Sequence, residues 1–535
     1  MATTSQTDGG AGRAVAALIT LVCVGWPLGS VLWAVVAGVM AGDISKPAEG
    51  LQIEPALRMA PAWGLLGSTI AWGLVIGVLA TALAWPGAWL IRRRGWRVLP
   101  LMLVPLLLPS YLAYSGYSTL RAAGTPGGDW LAGLVDSGLP EAPALAGRVL
   151  AMAGLSLWAW PISAIVLGAT FRRLDEPVLE ALRLDAPPLR RLLQVLSMSR
   201  VGVISSIALV ALVMMGSAVP LHLAQVPTYA IKVWLDLTLA PGRWRVWLAA
   251  WPLLVFACGG AFIIAAAIAR QAGRPDEAVV RAEKRGGAAG AVAVWLVAVA
   301  LPVGLFVWTA SDLRPYRQFW AASADPVATS AGIGAMVGGL GVVLAAAFWQ
   351  GMSAARVGGP GVLLRACLVL LLLMGLLPGV LVGSAVSTAI NITPGAYELG
   401  ESPLAVVVAH AGRFGFLAAL VGCWLAAVEP RQERDLRALD AGLGLRSWWA
   451  VCLPVQGGAL AGAGLAMAAL SLHEIEAAVM VQPPGSPSLA QVMLNHLHQL
   501  RMQDVAAAAV VVVLMGLVVA GLAAWSARRT IRRVV

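Results

Sequence analysis

The chain has 535 residues, of which 59% are hydrophobic and only 12% charged, with a mean hydropathy of +0.83. Soluble domains carry about 25% charged residues, so a water-soluble enzyme or binding module is excluded and an integral membrane protein is expected. The net charge of +11 calls for no nucleic acid, because a cytoplasmic face against anionic lipid head groups accounts for it.

Apolar runs of about 20 residues, rich in Ala, Leu, Val and Gly, read as membrane helices that satisfy their own backbone hydrogen bonds. Twelve are predicted in chain order: 14–41, 62–91, 98–120, 145–171, 201–222, 246–269, 288–310, 326–349, 361–389, 403–427, 455–473 and 504–526. The first has only Arg13 ahead of it, is too long for a cleaved leader and lacks a clear cleavage site, so it is expected to be retained. With the N-terminus inside and strict alternation, most of the 37 basic residues fall on one side. They include "RRRGWR" (92–97), Arg172, Arg173, Arg183, Arg190, Arg191, Arg200 and the tail "RRTIRR" (528–533). This positive-inside bias predicts both termini in the cytoplasm. The five cysteines show no CxxC or Cys/His spacing, so no disulfide framework or metal site is expected.

The polar linker "RQAGRPDEAVVRAEKRGG" (270–287) divides the chain into an N-terminal half, 1–269, and a C-terminal half, 288–535. With six helices each, the halves have the same orientation. The expected architecture is all-α, two tandem parallel six-helix repeats about an axis along the membrane normal.

Each half interrupts its greasy run with one basic, amphipathic loop after its fourth helix. The first, about 172–200, contains "LEALRLDAPPLRRLLQVLSM" (179–198); the second, about 429–454, contains "DLRALDAGLGLRSWWAVCLP" (435–454). The second reads as a helix–turn–helix. Leu436 and Leu439 share a face, Gly442 and Gly444 permit a sharp turn, and "RSWWAV" makes a second short helix. Pro454 then suits the first turn of the next membrane helix. One reading is an interfacial loop with Trp at the head-group level. The other is a docking surface for a cytoplasmic partner, doubled by the repeat.

A few charged residues stand out against the apolar background. His473, Glu474 and Glu476 fall where the eleventh span meets its outer segment. They suit either a cation-attracting site or a solvated helix end. His410 and Arg413, three apart in the tenth span, either line a central cavity or hydrogen-bond within the bundle. His496 and His498 are two apart and do not share a helical face, and His222 is expected at the interface. The small-residue run "GIGAMVGGLG" (332–341) suits close helix packing.

The second loop resembles the cytoplasmic "EAA" loop, E-A-A-x-x-x-G with an I/V-x-L-P ending, of binding-protein-dependent ABC transporter permeases. Asp435 falls on the Glu, Asp440 precedes the Gly position, Ala441 occupies it, and Val451-Cys452-Leu453-Pro454 forms the close. In the first loop Leu179 falls on the Glu and Asp185 on the Gly, with Glu180-Ala181 displaced by one and Ser197-Met198 at the Leu-Pro. Neither loop keeps the family glycine. "LVPLLLPSYLAYSGY" (103–117) and "LLLMGLLPGVLVGSAV" (371–386) resemble the third helix of each half. "HEIEAAVMVQPPGSPSLAQVML" (473–494) is similar to a segment of the fused two-half permeases of ferric-iron importers, and "AVPLHLAQVPTYAIKVW" (218–234) to its first-half partner.

The resemblance implies the type I importer permease fold in a bacterial inner membrane. It also implies a solute, ferric iron first, delivered by a periplasmic or lipid-anchored binding protein. A separate ATPase dimer would grip Glu180, Ala181, Asp185, Ala186, Arg190 and Arg191 of the first loop. In the second it would grip Asp435, Asp440, Ala441, Gly442, Gly444, Leu453 and Pro454. His410, Arg413, His473, Glu474 and Glu476 are candidates for the path. The chain carries no G-x-x-x-x-G-K-[ST], so ATP and Mg belong to the partner and no cofactor or enzymatic activity is expected here. The alternatives are an ion-gradient-driven transporter, which would break its helices around paired intramembrane acids, and a non-transporting scaffold.

Overall fold

The computed structural model describes residues 10–41, 62–239, 243–271, 288–358, 361–429, 445–499 and 501–534, all in helices or connecting turns, with no strand among them. In chain order, α1 (Gly10–Met40) contains a π-helical turn at Leu21–Gly25, directly ahead of Trp26-Pro27. It is followed by α2 (Trp63–Leu83), α3 (Trp85–Arg94), α4 (Ser110–Ser118) and α5 (Ala142–Phe171). A hairpin of α6 (Glu176–Asp185) and α7 (Pro188–Met198) comes next, and α8 (Arg200–Met215) leaves it at 71°. A stub, α9 (Val219–Leu223), precedes α10 (Trp251–Gln271).

Beyond the linker, α11 (Ala289–Thr309) has its own π-helical turn at Leu296–Ala300, again directly ahead of a proline, in Leu301-Pro302. Then come α12 (Leu313–Gly358), α13 (Val362–Leu376), α14 (Gly379–Ile392) and α15 (Leu404–Val428). The chain ends with α16 (Leu445–Leu472), a stub α17 (Ala478–Val481), α18 (Leu489–His498) and α19 (Met502–Val534).

Eight of these helices are long and apolar enough to cross a membrane: α1, α2, α5, α10, α11, α12, α15 and α19. The chain is a multi-pass, all-helical membrane protein, and these eight coincide with eight of the predicted spans.

The other four predicted spans differ. The one expected at 98–120 is three short pieces, Leu99–Met102, Val104–Leu107 and α4. The one expected at 361–389 breaks between α13 and α14 with a 115° bend. The break into α4 and the break into α14 have the same cause. A proline clashes with a helical residue before it and drives that residue extended. Leu108 (φ −89°, ψ 144°) precedes Pro109, and Leu377 (φ −71°, ψ 149°) precedes Pro378. The predicted spans 201–222 and 455–473 end at Met215 and Leu472, each followed by an irregular segment and a stub, α9 or α17.

Pro454 also departs from expectation. It lies inside α16, which runs unbroken from Leu445, rather than opening a membrane helix. Asp435, Asp440, Ala441, Gly442 and Gly444 lie outside the described residues.

Helix packing follows the small residues. A Cβ on Gly338 would lie 2.9 Å from the Gly464 carbonyl oxygen, and one on Gly464 would lie 2.6 Å from that of Gly338. Only glycine allows α12 and α16 this backbone contact. At the centre stands α15, packed against α12, α13, α14 and α16.

Candidate functional site

Arg413 lies well inside α15, about 14 Å along the axis from Leu404 at 1.5 Å per residue. A guanidinium at that depth needs anionic partners, and it has two. Its Nη1 is 3.0 Å from Glu474 Oε1, and its Nη2 is 3.2 Å from Glu476 Oε2. Both glutamates sit in the irregular segment between α16 and α17, and they are only 8% and 5% exposed. They are therefore not a solvated helix end. The break after Leu472 turns them into the protein, where the bundle sequesters them.

One guanidinium serves two carboxyl groups and leaves acceptor capacity over. Backbone N–H groups at helix starts, which have no partner within their own helix, take it up. Glu476 Oε1 accepts from Ala218 N at 2.8 Å and Val219 N at 3.2 Å, at the start of α9. Its Oε2 accepts from Gly379 N at 3.1 Å, the first residue of α14. Glu474 Oε1 accepts from Ala477 N at 3.0 Å, just ahead of α17. The breaks that interrupt the predicted spans thus supply the donors for the buried acids.

Gly379 is essential to this geometry: a Cβ there would lie 1.4 Å from Arg413 Nη1 and 2.6 Å from Glu476 Cβ. One helical turn along α14, a Cβ on Gly383 would lie 2.3 Å from the Ala477 carbonyl oxygen. On α15, three residues before Arg413, His410 is buried with its Nδ1 2.8 Å from Ser471 Oγ, while its Nε2 has no hydrogen-bond partner among the described residues. Tyr111, Leu112 and Val219 of the first half join Ile475 and Met493 of the second in one apolar cluster.

All five residues expected near a path, His410, Arg413, His473, Glu474 and Glu476, fall within this region of α15 and the α16–α17 break. The sequence reading missed Ala218, Val219, Gly379 and Ser471. Gly379 had a signal: it directly follows a proline that ends a leucine run. Ala218 and Val219 act through backbone alone, which no side-chain pattern reveals. His222 and His498 stack edge-on with ring centroids 6.2 Å apart, joining α9 to α18. Among the described residues no group of three or more His, Cys, Asp or Glu has a metal-binding arrangement.

The second notable feature is the α6–α7 hairpin. Glu180, Ala181, Asp185, Arg190 and Arg191 are exposed and Ala186 is half-buried. Leu184 is 86% exposed and Leu189 is 69% exposed, a cost in water that an uncovered polar loop does not normally carry. The hairpin is nonetheless rooted. Leu179 and Val195 are buried in a cluster with Ile91, Trp160 and Phe171. Arg92 at the end of α3 pairs with Glu176 at 2.5 Å and donates to the carbonyl oxygens of Phe171 and Leu174. In the second loop Leu453 and Pro454 are exposed on α16. Compared with known protein families, characterised proteins and solved structures, the chain gives no match.

Proposed function

We propose that this chain is the membrane-spanning subunit of an ABC importer, with two parallel halves, 1–269 and 288–535, of six spans each. It moves a solute, ferric iron by resemblance, from an outer binding protein into the bacterial cytoplasm. A separate ATPase dimer drives it through the α6–α7 hairpin and its counterpart at about 429–454. Repeated local features support the two-half layout. Each half has a π-helical turn ahead of a proline, a Leu-Pro break and a stub after its fifth long apolar segment.

The observation that carries the reading is the hairpin itself. It combines an exposed apolar and basic surface, a buried root, and a 71° junction to α8, as a lever between a soluble motor and a membrane helix requires. The test is co-purification with ABC ATPase subunits co-expressed from the same genome. Hydrolysis stimulated by loaded binding protein, with uptake of labelled iron into vesicles, is the expected result. No association with any ATPase sinks the reading.

One observation favours an ion-gradient-driven transporter instead: paired buried acids at broken helices. The hydrogen-bond geometry weighs against it. Both oxygens of Glu476 are already taken by three backbone N–H groups and a guanidinium, so the carboxylate is committed to protein donors rather than open to a passing ion.

A further inference from the structure

We propose that Glu476 is a releasable latch between the two halves of the chain. The proposal rests on the transporter reading only in assigning the release a place in a transport cycle; the latch itself stands on local geometry. The two oxygens divide their work. Oε1 serves the first half through Ala218 N and Val219 N, while Oε2 serves the second half through Gly379 N and Arg413. These partners lie 258, 257, 97 and 63 residues away in sequence. One carboxylate therefore joins the starts of α9 and α14 to α15 and the end of α16.

Oε1 is the side that gives way. Its donors are the cap and the first residue of a five-residue stub bounded by breaks on both sides. Before it come Gly216 and Ser217, outside α8. After it, Gln225 has φ +57°, a left-handed conformation that non-glycine residues seldom adopt. The stub can shift without unwinding α8. The Oε2 side has no such freedom, because Gly379 is fixed under the Arg413 guanidinium and α15 is held on four sides. The ion pairs of this cluster join Arg413 to Glu474 and Glu476, all three in the second half. Separation of the halves therefore breaks two backbone bonds to Oε1 and leaves the charged core paired. The His222–His498 ring contact and the apolar cluster shared by Val219, Ile475 and Met493 lie on the same seam and loosen with it.

The test is hydrogen–deuterium exchange of the full chain in lipid nanodiscs, with no partner added. In the natural protein the amides of 218–219 are expected to exchange at least tenfold faster than that of Gly379, by openings that leave Gly379 protected. Glu476→Gln removes the charge but keeps the side-chain shape. It is expected to speed exchange at 218–219 a further tenfold. Spin labels at Leu139 and Tyr397, one in each half, should gain a second, longer distance in that variant. Correlated opening of 218–219 and Gly379 in the natural protein overturns the latch in favour of a permanent rivet. So does a folded Glu476→Gln chain with natural exchange and a single distance. Both readouts are independent of the ATPase, so a failed ATPase association sinks the importer reading while leaving the latch standing.

Discussion

At the residue scale, the cost of a buried charge decides what Arg413 and its glutamates do. Removing one member of a buried pair leaves an uncompensated charge and costs about 3–5 kcal/mol. Arg413→Leu is therefore expected to lower stability by about 3–5 kcal/mol, read as a lowered denaturation midpoint in detergent. Adding Glu474→Gln to that variant should recover part of the loss, since one surplus charge is gone. Additive losses in the double-mutant cycle would mean the two side chains do not interact. Gly379→Ala should act similarly through geometry alone, because its Cβ would occupy the guanidinium's place. Gly332→Ala is the control. Nothing lies within 4 Å of its Cβ position, and helix propensity favours alanine there by up to about 1 kcal/mol.

At the element scale, the hairpin separates stability from the proposed partner binding. Leu179 is buried and Leu184 is not, although they share α6. Leu179→Ala should cost about 2–5 kcal/mol through cavity formation and expose the hairpin to protease. Leu184→Ser should leave the midpoint within about 0.5 kcal/mol and instead weaken ATPase association in a pull-down. Equal effects of both on stability would contradict the division.

Much of this scale was legible in the sequence. The basic, amphipathic character of 179–198 marked it as a loop, and unbroken apolar runs marked eight long helices. Pro109 and Pro378 were visible too, but each sits within a leucine-rich run whose hydropathy reads as one span. Hydropathy does not register the backbone constraint on the residue before a proline. The charge cluster was half legible. Arg413 stood out inside one predicted span and Glu474 and Glu476 at the end of another, but the partnership with Ala218 spans 258 residues and is set by tertiary folding alone.

At the scale of the whole molecule, the question is which ends face which side. The start of α1 meets the far part of α12, where a Cβ on Gly12 would lie 2.6 Å from Gln350 Oε1. Nearby, Ser353 donates to Glu429 at the end of α15, at 2.7 Å. These three ends share one face, which the proposed positive-inside orientation puts in the cytoplasm. The opposite end of α1 packs on Trp244 ahead of α10, 2.5 Å from a Cβ on Gly38. On that orientation the start of α12 lies outside. Its 46 residues span about 69 Å, more than twice the roughly 30 Å hydrocarbon core, so the charged first turns around Arg314 and Arg317 project into water. Single cysteines placed at Leu313 and Leu184 in a cysteine-free background test this arrangement with a membrane-impermeant thiol reagent. Leu313→Cys is expected to label in right-side-out vesicles and Leu184→Cys only in inverted ones. Labelling of Leu184→Cys in right-side-out vesicles would place the hairpin out of reach of any cytoplasmic motor and remove the physical basis for coupling.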